Sequence, residues 1–460
     1  MRQLRAIFVL TLRAALRERV VWSMLALVVG TLLLLPLGLR GDGTLAGELR
    51  MHIRYSTGIS TALLAAMTLW VSCGAIAGEL SSKRIHMLLS KPVSRATLWW
   101  GKWLAVSLLS VSLLFLCGAV TYLRVLDRVN HESVTPAERD RVFATLLTAR
   151  APEGAVPVDV SGRVQELLDE QIRSGLLPAE LPEDLRPQVM RDLNLTAIAL
   201  RHAVNQDERV RYDFRLSRPL REGETLQLAY QFDGASMGAN RIPGTWTVGT
   251  EEEPGLISVR IEQSPAGEAV LELPHEPRLL GAGHLVVEFH NQSDARQMVF
   301  FRPRDGVRLY RPAGGFGGNL FRGLSLLAGL LALLAALGVS CGSIFSLPVA
   351  CYATAMMLVM QAFSGTLNRV LEAGTTLKNP AEAGALAQIR DRLAMTLYRG
   401  MHAVLQPLNV DSPLDRVSRG VLVSPSELLQ TMGLRMSFVL LLIAGFGIFL
   451  FKKREAGVAE

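Results

Sequence analysis

The residues best placed to do chemistry lie in one polar segment between two apolar runs. It reads Glu79-Leu80-Ser81-Ser82-Lys83-Arg84-Ile85-His86-Met87-Leu88-Leu89-Ser90-Lys91-Pro92-Val93-Ser94-Arg95, with Gly101-Lys102-Trp103 following. An acid, several cations and the apolar stripe Ile85, Leu88 and Leu89 make a short amphipathic helix that Pro92 would stop. Such a segment suits docking into a soluble partner's groove. The simpler reading is a basic loop that only fixes membrane topology. Elsewhere the side chains point to no reaction. His202, His275, His284 and His290 are not at ligand spacing, and neither CxxC nor HExxH occurs. Cys73, Cys117, Cys341 and Cys351 fall in or beside apolar runs, where a thiol behaves as a small hydrophobe. No GxxxxGK[ST] phosphate loop is present, and no Asp, Glu or His cluster interrupts the long apolar runs. No catalytic, metal-binding or cofactor-binding residue is therefore expected, and an enzyme is disfavoured.

The elements that must position this segment follow from hydropathy. Half of the 460 residues are hydrophobic and 19% are charged, and the apolar ones are gathered in charge-free runs, which excludes a purely soluble protein. Val20–Leu39, Tyr55–Gly78 and Trp103–Leu123 each reach the length of about 20 residues that a spanning helix needs. Gly323–Asn368 is charge-free over roughly twice that length and carries Ser343, Ser346 and Pro348 near its middle, so two helices joined by a turn are expected over 323–368. A last span over 428–451 makes six. Lys and Arg cluster in 1–19, in 79–102 and in the tail 452–460, which a six-span chain places on one side, with both termini cytoplasmic. Residues 1–19 set Leu4, Ile7, Phe8, Leu12 and Ala15 against arginines that include Arg13 and Arg17; this is an interfacial helix beside anionic headgroups, or an extension of the first span. The net charge of +7 thus belongs to the membrane surface, and a nucleic-acid partner is not expected.

Two polar stretches remain. Residues 124–208 read as helical: Thr135-Pro136-Ala137-Glu138 is a capping-box start, Val164, Leu167, Leu168 and Ile172 repeat a helical stripe, and a further helix is expected over Leu185–Val204. Over 209–312 the period becomes two, as in Val210/Tyr212/Phe214/Leu216 and Leu285/Val287/Phe289, which points to a β-sandwich. Exposed Trp246 or Tyr310 there would favour binding of a glycan, lipid head or envelope protein; a rigid spacer is an equal alternative. Gly314, Gly315, Gly317 and Gly318 are expected to form a flexible connection. Residues 369–427 are too polar to span and hold an amphipathic helix over Pro380–Leu405. The fold class is an α-helical polytopic membrane protein, with six transmembrane helices over 20–123, 323–368 and 428–451 and an extracytoplasmic α+β insertion containing a β-sandwich.

With these residues in place, the chain resembles the membrane subunit, or permease, of ABC transporters of the ABC-2 type. Glu79, Leu88-Leu89-Ser90, Pro92-Val93-Ser94-Arg95 and Gly101-Lys102 match the family pattern, and Lys83-Arg84 stands where many members have Gly-Thr. Leu12-Arg13 and Leu16-Arg17 are similar to the family's amphipathic first helix, and Ser426-Glu427-Leu428-Leu429 with Lys452-Lys453-Arg454-Glu455 matches more loosely. The resemblance implies an ATPase-coupling loop made by Glu79, Lys83, Arg84, Leu88, Leu89, Lys91, Pro92, Val93, Ser94 and Arg95. It implies a separate ABC ATPase subunit that binds the ATP, and a homodimer or paired permease in a bacterial cytoplasmic membrane. It further implies an export role, or a mechanical role in envelope assembly without solute transport. The cargo is not written in the sequence.

Overall fold

The computed structural model describes residues 2–38, 44–82, 93–178, 181, 186–222, 224–234, 241–263, 269–274, 276–293, 297–303, 306–362, 370–371, 385–405 and 413–453. In chain order the helices are α1 (Arg2–Arg17), α2 (Arg19–Gly38), α3 (Leu45–Ser81), α4 (Arg95–Val129), α5 (Pro136–Thr145), α6 (Ser161–Arg173) and α7 (Arg186–Arg201). There follow α8 (Phe316–Ile344), α9 (Leu347–Ala362), α10 (Ala385–Leu405), α11 (Pro413–Ser418) and α12 (Pro425–Lys453). The chain divides into two compact units, one of residues 1–148 with 315–460 and one of residues 149–314.

The first unit is helical. α3, α4, α8 and α12 are each long and apolar enough to cross a membrane, and α1 with α2 makes a fifth if the pair, bent by 65° at Glu18, counts as one broken span. Of the six expected spans, four to five are found among the described residues, where the apolar stretch of α9 runs over Leu347–Met360 and residues 363–369 lie outside the description. The turn expected in 323–368 lies at Phe345-Ser346, between α8 and α9. α8 is the central helix, with most of its apolar length buried, whereas α12 stands at the rim. Small residues let the backbones approach: a Cβ on Gly338 or Gly342 would run into Ser72 or the Cys73 carbonyl of α3, and one on Gly118 into Leu324. A polar pair crosses the seam between α3 and α4, with the Thr68 and Ser110 hydroxyls 2.7 Å apart. In α12 the turns over Leu429–Met436 are π-helical.

Among the described residues the chain between α5 and α8 holds twelve strands, β1 (Thr148–Pro152), β2 (Gly154–Ala155), β3 (Ala203–Val204), β4 (Arg209–Arg215), β5 (Gln227–Tyr230), β6 (Phe232–Gly234), β7 (Ile242–Gly249), β8 (Ile257–Gln263), β9 (Ala269–Glu272), β10 (His284–Asn291), β11 (Val299–Phe301) and β12 (Val307–Gly315), in sheets ordered β1-β12-β5-β9, β2-β4-β10-β7-β8 and β3-β11-β6. β4 (Arg209–Arg215) buries Val210, Tyr212 and Phe214 in alternation, as its period predicts, and pairs with β10 (His284–Asn291) in the register Phe214 to Leu285. The three sheets share one core that includes Trp246, Phe289, Phe301, Phe232 and Leu228. Trp246 and Tyr310 are both buried, so neither offers the exposed aromatic surface that would have favoured a ligand. α6 and α7 pack on each other through Val164, Leu193 and Ala197. The helix expected over Leu185–Val204 ends at Arg201, and Ala203–Val204 form β3.

The glycine connection is a correction. Gly314 and Gly315 are the last residues of β12 (Val307–Gly315), and Gly317 and Gly318 lie in the first turn of α8. A Cβ on Gly317 would sit 3.3 Å from the Tyr122 ring, so this glycine serves close packing rather than freedom.

Candidate coupling site at one end of the helix bundle

The segment expected as the loop 79–102 is largely helical where it is described. α3 continues through Glu79 to Ser81, and α4 begins at Arg95. Ser94 is the N-cap of α4, its hydroxyl accepting from the Thr97 amide at 3.0 Å. Lys83, Arg84, Leu88, Leu89, Lys91 and Pro92 lie outside the described residues. The structure therefore defines the two anchors of the segment, and these are built from pairs of charges.

Glu79 does not stand alone. Its Oε1 is 2.7 Å from the Lys102 Nζ, one side chain 25% exposed and the other 2% exposed. The Lys102 ammonium also donates to the Ala75 carbonyl, so this cation ties α4 to two successive turns of α3. Arg95 faces the end of α12. Its Nη1 donates to the Phe451 and Lys452 carbonyls, the second at 2.7 Å, and its guanidinium lies 5.5 Å from the centroid of the Phe451 ring. The last carbonyls of a helix have no partner within it and carry the negative end of its dipole, so a guanidinium there caps α12 from outside. Val93 is half-buried beside this contact.

The next turn of α4 is aromatic. Trp99 donates from Nε1 to the Ser340 hydroxyl of α8 at 3.2 Å, and Trp103 donates to the Ala332 carbonyl at 2.9 Å. The Trp99 and Trp103 rings stack at 6.2 Å, with Trp100 edge-on between them. Gly101 leaves room for Ile7, whose Cγ2 would be 2.7 Å from a Cβ there. α1 is seated on α4 by this contact and buries Ile7, Thr11 and Ala15 at four-residue spacing. Arg13 and Arg17 are exposed on its outer side. The sequence points to Glu79, Arg95 and the arginines of α1, and to Lys102 as a motif residue and a topology-setting cation of the loop rather than as a buried partner of Glu79. A lysine among tryptophans, in Trp99-Trp100-Gly101-Lys102-Trp103, was the available signal, because a buried ammonium requires a partner.

The opposite end of the bundle is also tied. Arg128 of α4 and Glu48 of α3 form a bidentate pair at 2.9 and 3.0 Å. Buried Asn319 of α8 donates to the Val421 carbonyl and accepts from the Val423 amide, both at 2.8 Å. In the second unit, buried Arg311 bonds Glu153 at 2.7 Å and Glu224 at 3.2 Å, and Glu153 also accepts from Ser217, so this cluster is internally satisfied. Among the described residues no group of three or more His, Cys, Asp or Glu could hold a metal ion.

No curated protein and no solved structure matches the chain. A family model does: residues 6–151 match the one described as ABC-2 family transporter protein. The match runs from within α1 through α5 into β1 and contains Glu79, Ser94, Arg95 and Lys102. Over this stretch, which carries every described anchor of the candidate site except the end of α12, the chain is similar to the ABC-2 transporter family.

Proposed function

We propose that the chain is the membrane-spanning permease subunit of an ABC-2 type exporter, driven by ATP hydrolysis on a separate ATPase subunit. The observation that carries this reading is the anchoring of residues 83–92. Glu79 and Lys102 fix the end of α3 to α4, and Arg95 fixes the start of α4 to the end of α12. A push on the segment between these anchors would move three helices together, which is what a bistable bundle needs to pass from inward- to outward-facing. In this reading the bundle has six spans, with α9 as the fifth crossing, and pairs with a second permease. Both termini and residues 79–102 are cytoplasmic. Residues 149–314 form an extracytoplasmic domain whose sheets pack as a β-sandwich. The test is co-purification with a candidate ABC ATPase. The wild-type pair is expected to co-elute, and replacing Leu88 and Leu89 by Asp should abolish the complex while leaving the permease folded. An intact complex after deletion of residues 83–92 would overturn the coupling role.

A second reading, mechanical action on envelope partners without solute transport, is favoured by one feature. β12 ends at Gly315 and α8, the most buried helix, starts at Phe316, with no linker residue. Movement of α8 would then be passed along a continuous chain. ATPase activity in proteoliposomes stimulated by a transported compound would argue for export; cross-links from residues 149–314 to another envelope protein, without such stimulation, would argue for mechanics.

A further inference from the structure

The anchored end of the bundle encloses a groove of about 600 Å³ between α1, α3, α4 and α9. Along α3 its wall recurs at Trp70, Gly74, Gly78 and Ser82, one face of the helix over about 18 Å at about 1.5 Å per residue. The wall changes character along that length. Trp70, Val71 and Leu347 of α9 line the part nearer the middle of α3, and Glu79, Ser82 and Lys102 line the part at its end. A groove apolar at one end and charged at the other has the shape of a site for an amphiphile.

The charges select the head. The described ionisable residues of the lining are Glu18, Glu79 and Lys102, two carboxylates and one ammonium. The ammonium is already held by Glu79 Oε1 and the Ala75 carbonyl. What remains is acceptor capacity: among the described residues buried Glu79 Oε2 has no hydrogen-bond partner, and the Glu18 side chain is exposed. A carboxylate oxygen left in that state is costly, and a donor brought by a ligand would relieve it. The terminal torsion of a glutamate is soft, so a small rotation turns Oε2 into the groove. We propose that this groove binds an amphiphile with a protonated amine head, its chain against Trp70, Val71 and Leu347 and its ammonium donating to Glu79 and Glu18. A head of net negative charge is excluded, since it would meet two carboxylates without bringing a cation to them. Two sources share this chemistry, a phosphatidylethanolamine of the bilayer and a free single-chain amine.

Binding here needs no ATPase, so its test is read independently of the coupling role. The full chain in phosphatidylcholine nanodiscs would be exposed to a long-chain primary amine with a diazirine on its chain, and the adducts mapped by mass spectrometry. Labelling is expected on Trp70–Gly74 and around Leu347. Competition by added phosphatidylethanolamine assigns the site to the bilayer lipid, and labelling that this lipid does not reduce assigns it to the free amine. Gly74→Leu supplies the blocking control: a Cβ at Gly74 meets only Leu347 Cδ1 at 4.0 Å, so the new side chain enters the groove without disturbing the packed helices. Labelling should fall about tenfold in G74L, and also in E79Q, a loss of about 1.4 kcal/mol in binding. Equal labelling by the alcohol of the same chain length, equal competition by phosphatidylglycerol, or undiminished labelling of a folded G74L chain would each overturn the proposal.

Discussion

Replacing Glu79 by Gln and Lys102 by Met, singly and together, separates a structural ion pair from an incidental one. The pair is asymmetric: Lys102 is 2% exposed and Glu79 is 25% exposed. At 2.7 Å the Coulomb attraction is about 6 kcal/mol at an effective dielectric of about 20, and desolvating the ammonium costs several kcal/mol in return, so the pair is close to break-even as a whole. Breaking it is another matter. E79Q removes the counter-charge and leaves a buried ammonium with neutral acceptors alone, and a loss of about 3–5 kcal/mol is expected. K102M leaves a carboxylate on a side chain that is partly exposed although its Oε2 is buried, and the expected loss is about 1–2 kcal/mol. The double variant should recover most of the E79Q loss, because it removes the stranded charge. The assay is reversible unfolding of the full chain in mixed detergent, followed by tryptophan fluorescence, with Trp99, Trp100 and Trp103 beside the site as reporters. Equal losses in the two single variants, or strict additivity in the double, would refute the account of a buried cation held by a half-open carboxylate.

Three further outcomes are expected. Asn319→Leu removes both bonds to Val421 and Val423 and leaves their peptide groups unpaired in a buried place; about 2–4 kcal/mol should be lost in the same unfolding assay. Gly338→Ala forces a methyl group into Ser72 and should cost about 1–3 kcal/mol, whereas Gly74→Ala, with open space, should cost only about what its helical propensity and packing leave, within about 0.5 kcal/mol of wild type. In the second unit, burial holds the His202 imidazole below its ordinary value of 6.5, with Arg201 adding to the effect. The folded state therefore binds fewer protons than the unfolded chain once the pH drops below about 6.5. Stability is retained above that pH and lost as the pH falls towards the folded value, so hydrogen exchange in peptides of β4 and β10 should accelerate at pH 5.5 relative to pH 7.5 after correction for intrinsic rates. His202→Gln should flatten this dependence; unchanged pH sensitivity would remove His202 as its source.

The helices and strands were legible in the sequence where one signal dominated. Charge-free runs marked the apolar lengths of α2, α3, α4 and α8, and alternation marked β4 and β10, because burial against a bilayer or a core imposes those periods directly. The capping box at Thr135 and Glu138 is present as its spacing predicts. What was not legible depends on partners distant in the chain. Lys102 is buried because Glu79 and Ala75, more than twenty residues earlier, face it across a helix seam. Gly317 reads as slack because no local signal reports Tyr122, which packs on it. The amphipathic stripe Leu386, Ile389, Leu393 and Leu397 was correctly placed on a helix, yet its direction was not readable: these side chains are exposed, and Met395 on the opposite side is the buried one. A period identifies a stripe, and only packing decides which way it points.

The π-helical turns of α12 have a consequence for how this helix tolerates change in length. Turns closed by i→i+5 bonds hold more residues than the 3.6 of an α-turn, so Leu429–Met436 carries spare chain between two fixed points. On one side Glu427 is clasped by Arg416 at 2.6 and 2.9 Å, and on the other Phe451 and Lys452 are held by Arg95. Deleting Gly433 would draw the stretch towards ordinary α-helix while both clasps keep their azimuth. The same deletion in α8 would turn everything beyond it by about 100° and strip Asn319 or Ser340 of its partners. The π-helical turns of α12 are thus a place where the helix can lose a residue without moving either of its ends.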